Sequence, residues 1–178
     1  YGIYPCYSEV DDVIVLDVDD HAKEIARFDF TKVVGSGNED VVSGAQYFYP
    51  KEFGRLDAIG LQISTGGAQV NDQITKFKDE GDSESALYLQ GLSDRLAEDF
   101  ADHLHNLQRE QLGFGNTRIG TRWSPGYPGM TNMENNGRIH ALLGAEQLVG
   151  VTITEAGEFY PTGTTAAVVS YHPNARYS

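Results

Sequence analysis

The segment ESALYLQGLSDRLAEDFADHLHNLQRE, residues 84–110, carries the strongest periodic pattern in the chain. Its large apolar side chains recur every three or four residues, at Leu89, Leu92, Leu96, Phe100, Leu104 and Leu107. An α-helix has about 3.6 residues per turn, so this spacing places all of them on one face. The sequence therefore predicts a helix over about 84–110 whose apolar stripe faces the core.

The polar residues of this segment allow two interpretations. Asp94, Glu98 and Asp102 recur every four residues on another face, where a solvated surface is the simplest expectation. His103 and His105 are two positions apart and point to different sides of the helix, so together they cannot bind one metal ion. We predict no metal site here.

Strand-like segments lie on both sides of this helix, and a second helix follows it. The strand-like segments are 1–7, 13–18, 56–64, 151–154 and 165–171. Strands at both ends with helices between them predict an α+β fold, an antiparallel or mixed twisted sheet with flanking helices. The second helix ends near Val149, before Gly150. Its start is open, because Thr131 and Glu134 have capping-box spacing whereas Asn136-Gly137 would break a helix.

Length and charge limit the classes of function. The chain has 178 residues, enough for a single domain, and a formal net charge of −13. Such an acidic surface repels phosphate groups, so neither nucleic acid nor an anionic membrane is expected as a partner. The sequence has no apolar run long enough to span a bilayer, and Cys6 is expected to be a buried structural thiol. We therefore expect a cytoplasmic protein.

The clearest candidate for binding chemistry is the stretch RWSPGYP, residues 122–128. Arg122 can hold a carboxylate with two parallel hydrogen bonds. Gly126 lets backbone approach a ligand, and Trp123 and Tyr127 offer flat faces to a purine or a macrocycle. A stiff turn with a surface arginine remains the alternative. The standard signatures of nucleotide-binding loops and of nucleophilic or zinc enzymes are missing from the sequence, so no catalytic residue is predicted.

Several blocks, in order, resemble the C-terminal activation domain of cobalamin-dependent methionine synthase. The most specific is Arg122 followed, after three residues, by Gly-Tyr-Pro. The others are VDD at 10–12, DAIG at 57–60 leading to TGG at 65–67, LSDRLAE at 92–98, LH at 104–105, TE at 154–155 and HPNARY at 172–177. The resemblance spans nearly the whole chain and implies the fold of that domain.

The resemblance also implies a function. In this family S-adenosylmethionine supplies a methyl group that reactivates oxidised cob(II)alamin, while flavodoxin or another reductase supplies an electron. The whole enzyme transfers a methyl group from methyltetrahydrofolate to homocysteine. Cobalamin would be bound mainly by a partner domain, in cis or in trans, and the isolated activation domain would not be catalytic alone.

By the same resemblance, Arg122 holds the carboxylate of S-adenosylmethionine and Glu98 meets its ammonium group. The backbone of Trp123, Ser124 and Gly126 holds the adenine side. The pocket is completed by Tyr127, Tyr177 and Ser178. Glu98 would then line a cleft rather than face bulk solvent.

Some family features differ here. Residues 132–136 are NMENN, where the family usually has Asp-His-Thr-Glu-Lys, and neither the Asp-Trp-x-Pro-Phe motif nor the helical tail of the family is found. We therefore expect residues 1–178 to be one activation-type domain that is part of a longer domain or chain. The alternative function is that of a degenerate homologue, either a stand-alone reactivator of a corrinoid protein or a protein-interaction domain.

Overall fold

A computed structural model describes residues 1–34, 41–115 and 117–175 of the chain. The strands of this part are, in chain order, β1 (Gly2–Glu9), β2 (Asp12–Leu16), β3 (Glu24–Asp29), β4 (Val33–Val34), β5 (Val41–Val42), β6 (Asp57–Thr65), β7 (Thr121–Trp123), β8 (Thr152–Ile153), β9 (Phe159–Tyr160) and β10 (Thr164–Ser170). The helices are α1 (Ala68–Asp79), α2 (Ser83–Gln111), α3 (Glu134–Leu143) and α4 (Ala145–Val149). Two short 3₁₀ helices span Gly44–Tyr47 and Lys51–Phe53.

The centre of the fold is a six-stranded sheet in the order β3-β2-β1-β6-β10-β7, in which each pair of neighbours is antiparallel. The predicted α+β fold with flanking helices is confirmed. Strands β3 and β7 were not predicted. Strand β7 is only three residues long and follows a glycine-rich stretch, so its sequence carries too little alternation to indicate a strand.

The two faces of the sheet are packed differently. Ile59, Leu61 and Ile63 of β6 point into the main core, which contains Ile139 of α3. The intervening side chains Gln62 and Ser64 point to α2 on the other face. Gln62 Nε2 donates to the carbonyl of Ala101 (3.0 Å), and Ser64 Oγ donates to the carbonyl of Ala97 (2.6 Å). Helix α2 is therefore bonded to the sheet through its own backbone.

The predicted bounds of the long helix are confirmed, but its predicted core face is wrong. Leu92, Leu96 and Phe100 are 55%, 41% and 53% exposed. The buried residues of α2 are instead Ala86, Ser93, Ala97, Ala101, His105 and Gln108. Small side chains let the helix backbone approach the sheet closely enough for the two carbonyl contacts above. An apolar stripe beside a stripe of small residues gives no signal of which one faces the sheet.

The predicted second helix is two helices. Gly144 lies between α3 and α4 with a φ of 58°, the left-handed conformation that glycine adopts without strain. Helix α3 begins at Glu134, so Asn136-Gly137 lies inside it, and the backbone N–H of Glu134 donates to Asn132 Oδ1 rather than to Thr131. The predicted end at Gly150 is confirmed.

Two smaller expectations concern Cys6 and the membrane. Cys6 is fully buried in the core, as predicted, and burial raises the pKa of its thiol, with a further contribution from the charge of Asp57. Within the described part of the chain, no helix combines the length and the hydrophobicity that a bilayer span requires.

Candidate ligand-binding cleft

A cleft of about 400 Å³ lies between α2, the start of β10 and the loop that follows β7. It adjoins a recess of about 350 Å³ that reaches Arg122. The side chains or backbone shared by both are Glu98, Ser124, Tyr127 and Thr165. This placement joins the acidic helix and the RWSPGYP stretch, which are far apart in the sequence.

Helix α2 aims acidic side chains into the cleft. Ala97 and Ala101 face the sheet, so Asp94 and Glu98 project from the flank of the helix that borders the cleft. Glu98 therefore borders a cleft, as the family resemblance implied, and Asp94, for which a solvated surface was expected, borders it too. The Glu98 side chain remains 58% exposed, so a ligand can reach its carboxylate from the opening.

Arg122 is the cation that faces the acidic residues Glu98 and Asp102 of α2. Its Nη2 lies 2.8 Å from Asp102 Oδ1 and 4.0 Å from Glu98 Oε2, and 24% of the side chain is exposed. Its Nη1 is buried and has no hydrogen-bond partner within the described residues. Because a buried donor without a partner is unfavourable, an added acceptor at this guanidinium would be stabilising.

Beneath this guanidinium, His105 of α2 is 6% exposed, and its Nε2 has no hydrogen-bond partner in the described ranges. Burial lowers its pKa to about 3, and the positive charges of Arg109 and Arg122 act in the same direction. His105 is therefore neutral near pH 7 and adds no charge to the cleft. The sequence indicated only that His103 and His105 cannot bind one metal ion together, and it contained no sign that His105 lies near Arg122.

The loop after β7 is a tight turn. The Gly126 N–H donates to the carbonyl of Met130 (2.8 Å), and the Met130 N–H donates to the carbonyl of Tyr127 (3.0 Å). Gly126 has a φ of 90°, and a Cβ here would lie 2.6 Å from Met133 Sδ. Glycine is therefore required by the turn and its packing. Tyr127 is 61% exposed and lines the cleft.

The indole of Trp123 lies in the core and not in the cleft. It is 2% exposed, stacks against Tyr47 and meets Phe30 edge-on, and its Nε1 donates to Ser170 Oγ (3.2 Å). The prediction that its flat face is offered to a ligand is wrong. Side chains alternate along a strand, so when Arg122 points outward Trp123 points inward.

The structure thus brings together four of the predicted site residues, Glu98, Arg122, Ser124 and Tyr127, whereas Trp123 and Gly126 shape the loop that carries them. Tyr177 and Ser178 lie outside the described residues. Cleft residues that the sequence did not indicate come from three other segments: Asn136, Phe159, Thr162, Gly163, Thr164, Thr165 and Ala166. The four-residue spacing from Glu98 could have indicated Asp94 and Asp102, but nothing in the sequence places the 162–166 segment here.

Comparison with known proteins gives the family. The model of the vitamin B12 dependent methionine synthase activation domain matches residues 1–178. The chain belongs to this family. It is similar to methionine synthase of Mycobacterium tuberculosis (strain ATCC 25618 / H37Rv), with 26% identity, and to that of Mycobacterium leprae (strain TN), with 25% identity. Each match covers 99% of this chain and 16% of the relative, so the chain spans about a sixth of their length.

Among solved structures, the chain is similar to the MetH reactivation domain bound to AdoHcy. The TM-score is 0.87 at 25% identity, and the match covers 99% of this chain and 59% of that one. The resemblance seen in the sequence, and the activation-domain fold that it implied, are both confirmed.

Proposed function

We propose that this chain binds S-adenosylmethionine in the cleft between α2 and the RWSPGYP loop and supports reductive methylation of oxidised cob(II)alamin in a methionine synthase. The observation that carries the proposal is the ion-pair arrangement of Arg122, Glu98 and Asp102 at the end of the cleft. The similar reactivation domain was solved with AdoHcy bound, which supports a ligand of this class.

The amino-acid end of the ligand fits this charge pattern. Its α-carboxylate would bind the Arg122 guanidinium, and its ammonium group would bind Glu98. A carboxylate and an ammonium on one carbon need a cation and an anion a few ångströms apart, and Arg122 Nη2 and Glu98 Oε2 lie 4.0 Å apart. The chain therefore holds both partners side by side in the cleft.

The rest of the cleft suits a ligand that carries positive charge on sulfur. Asp94 and Glu98 line it, and these negative groups would attract a sulfonium before the methyl group is transferred. In the proposal the backbone from Trp123 to Gly126 holds the adenine side, and Tyr127, Tyr177 and Ser178 complete the site. Cobalamin, held mainly by a partner domain, would supply the cobalt that accepts the methyl group.

The NMENN segment has a structural use in this chain. Asn132 Nδ2 donates to Asp29 Oδ1 (3.0 Å), and Asn136 Nδ2 donates to the carbonyl of Gly157 (2.9 Å). These bonds fasten the start of α3 to β3 and to the turn before β9. The departure from the usual family sequence therefore has a structural explanation and does not by itself favour a degenerate homologue, an alternative that the match over the whole chain does not favour either.

The proposal extends to the protein that contains this chain. In it, a cobalamin-binding domain is the partner, in cis or in trans, and flavodoxin or another reductase supplies the electron. The complete protein is a cytoplasmic methyltransferase that forms methionine. The activation domain contributes binding and is not catalytic alone.

Calorimetric titration of the complete protein with S-adenosylmethionine tests the proposal. Replacing Arg122 by Ala should weaken binding by about 1.5–3 kcal/mol, roughly 10- to 150-fold, because a charge-assisted contact is lost. Arg95→Ala is the matched control, because Arg95 lies on α2 and pairs with Asp99 away from the cleft. The proposal fails if the unmodified protein does not bind, or if Arg122→Ala binds as tightly as the control.

A further inference from the structure

We propose that Asp94 is the residue that raises the affinity of the cleft for S-adenosylmethionine relative to S-adenosylhomocysteine. The assignment rests on the proposed function and deepens it, because it gives one residue the role of sensing the positive charge of the ligand. The two ligands share the amino acid and the adenosine, and they differ only in the methyl group and in the charge that it places on sulfur. A preference between them must therefore come from groups beside the sulfur atom.

Helix α2 places its acidic side chains at regular intervals along the cleft. Asp94, Glu98 and Asp102 follow one another every four residues, which corresponds to about 6 Å along the helix axis for each step. Carboxylate oxygens of Asp102 and Glu98 lie 2.8 Å and 4.0 Å from Arg122 Nη2. Asp94 lines the cleft but not the recess that reaches Arg122. It therefore lies one helical turn farther from the guanidinium than Glu98 does.

This interval matches the length of the amino-acid chain of the ligand. Three bonds separate the α-carbon of S-adenosylmethionine from its sulfur, which is roughly 4 Å in an extended chain. In the proposed complex the carboxylate binds Arg122 and the ammonium group binds Glu98. A sulfur that continues along the cleft from there reaches the level of the preceding helical turn, where Asp94 lies. The Asp94 carboxylate is therefore placed to meet the charge on sulfur rather than the ammonium group.

The Asp94 carboxylate is held by a neighbouring side chain, and its charge is not neutralised by an ion pair. Gln90 Nε2 donates to Asp94 Oδ1 (2.8 Å), and Gln90 Oε1 accepts a hydrogen bond from Thr162 Oγ1 (3.3 Å). The other two carboxylates of this row face Arg122, whereas no cation in the described part of the chain forms an ion pair with Asp94. The negative charge of Asp94 is therefore oriented and available to a ligand.

The surroundings of Asp94 suit a contact that depends on charge alone. A sulfonium has no N–H or O–H to donate, so a carboxylate attracts it only through its charge. Pro125, Phe159 and Ala166 line the same cleft, and apolar groups near two charges reduce the screening of their attraction by water. A neutral thioether gains nothing from this attraction. The charge of Asp94 should therefore act on S-adenosylmethionine and not on S-adenosylhomocysteine.

Isothermal titration of the complete protein with both ligands tests the assignment. We expect Asp94→Asn to bind S-adenosylmethionine about 3- to 10-fold more weakly, the range for two opposite charges near a protein surface, and to bind S-adenosylhomocysteine with unchanged affinity. Unchanged binding of the second ligand also shows that the variant is folded. Glu98→Gln should weaken both ligands by similar factors, because both carry the ammonium group. Asp99→Asn removes the same charge where it pairs with Arg95, and it should weaken neither ligand.

A carbon analogue of the ligand separates charge from shape. Replacing the S⁺ of S-adenosylmethionine by CH keeps the methyl group without the charge, so Asp94→Asn should bind this analogue as tightly as the unmodified protein does. The assignment is overturned if Asp94→Asn weakens the analogue or S-adenosylhomocysteine as much as S-adenosylmethionine, or if it weakens none of the three.

Failure of the proposed function gives a different result. In that case the unmodified protein does not bind S-adenosylmethionine, or Arg122→Ala binds it as tightly as Arg95→Ala does, and the assignment of Asp94 fails with it. If binding depends on Arg122 but the ratio of the two affinities is the same in Asp94→Asn as in the unmodified protein, only the assignment of Asp94 is wrong.

Discussion

Arg122 Nη2 and Asp102 Oδ1 form an ion pair at 2.8 Å between strand β7 and helix α2. The other terminal nitrogen, Nη1, is buried without a hydrogen-bond partner in the described part of the chain. A ligand carboxylate that enters from the cleft must therefore compete with Asp102 for the accessible side of the guanidinium. In the proposed complex, Asp102 would therefore compete with the ligand for Arg122.

Removing this competitor should strengthen binding. We expect Asp102→Asn to raise the affinity for S-adenosylhomocysteine, whose sulfur is neutral, by about 2- to 5-fold, the size of an ion pair with one exposed partner. Isothermal titration measures the change. Asp99→Asn removes the same charge from α2 at a position that pairs with Arg95, and it should leave the affinity unchanged. Weaker binding by Asp102→Asn would show instead that Asp102 helps to hold the ligand.

The role of Glu98 can be separated from general electrostatics. We expect Glu98→Gln to weaken binding of S-adenosylmethionine by about 5- to 30-fold, because a charged hydrogen bond to the ammonium group is lost. An analogue without the amino group should bind the variant and the unmodified protein equally, as in a double-mutant cycle. If the variant weakens both ligands by the same factor, Glu98 does not contact the ammonium group.

A buried chain of side-chain hydrogen bonds connects Tyr171, the residue after β10, to α2 and β6. Tyr171 OH donates to Gln108 Oε1 (2.5 Å), and Gln108 Nε2 donates to Gln62 Oε1 (2.8 Å). Gln108→Leu leaves two buried groups unpaired, so it should lower the free energy of unfolding by about 2–4 kcal/mol. Tyr171→Phe removes one donor and should cost about 1–2 kcal/mol. Urea denaturation measures both free energies of unfolding. A smaller decrease for Gln108→Leu than for Tyr171→Phe would show that Gln108 does not link the two hydrogen bonds.

His105 should make the stability depend on pH. Its pKa is about 3 in the folded protein against an ordinary value of 6.5, so below pH 6.5 the unfolded chain binds a proton that the folded chain does not. The stabilising contribution of neutral His105 is complete above pH 6.5 and is lost as the pH falls towards 3. Between pH 7 and pH 5 the unfolding free energy should fall by about 1–2 kcal/mol more in the unmodified protein than in His105→Gln. If the free energy of unfolding depends on pH in the same way in both proteins, His105 takes up its proton in the folded state as readily as in the unfolded state.

The sequence allowed part of this site to be predicted, for identifiable reasons. The RWSPGYP stretch carries residue types that suit a carboxylate and a flat ring, Glu98 was indicated only by the family resemblance, and helical spacing gave α2 its bounds. The burial of Trp123 depends on the alternation of β7, a strand too short to recognise. The position of Thr165 in the cleft depends on β10 lying between β6 and β7, an order that no local pattern contains. Residue types that suit a ligand can be recognised from a short stretch of sequence. The order of the strands and the choice between two helix faces depend on tertiary packing.

The direct contact between α2 and the sheet has a consequence for the geometry of the cleft. The carbonyl of Ala97 accepts a hydrogen bond from Ser64 Oγ and that of Ala101 accepts one from Gln62 Nε2, so the small side chains of the two alanines set the distance between the helix and the sheet. Glu98 follows Ala97 and Asp102 follows Ala101, so the same distance determines how far their carboxylates lie from the sheet. The size of the side chains at positions 97 and 101 therefore sets how far the carboxylates lie from Arg122. A bulkier residue at either position would change the distances between these charges without replacing any of the charged residues.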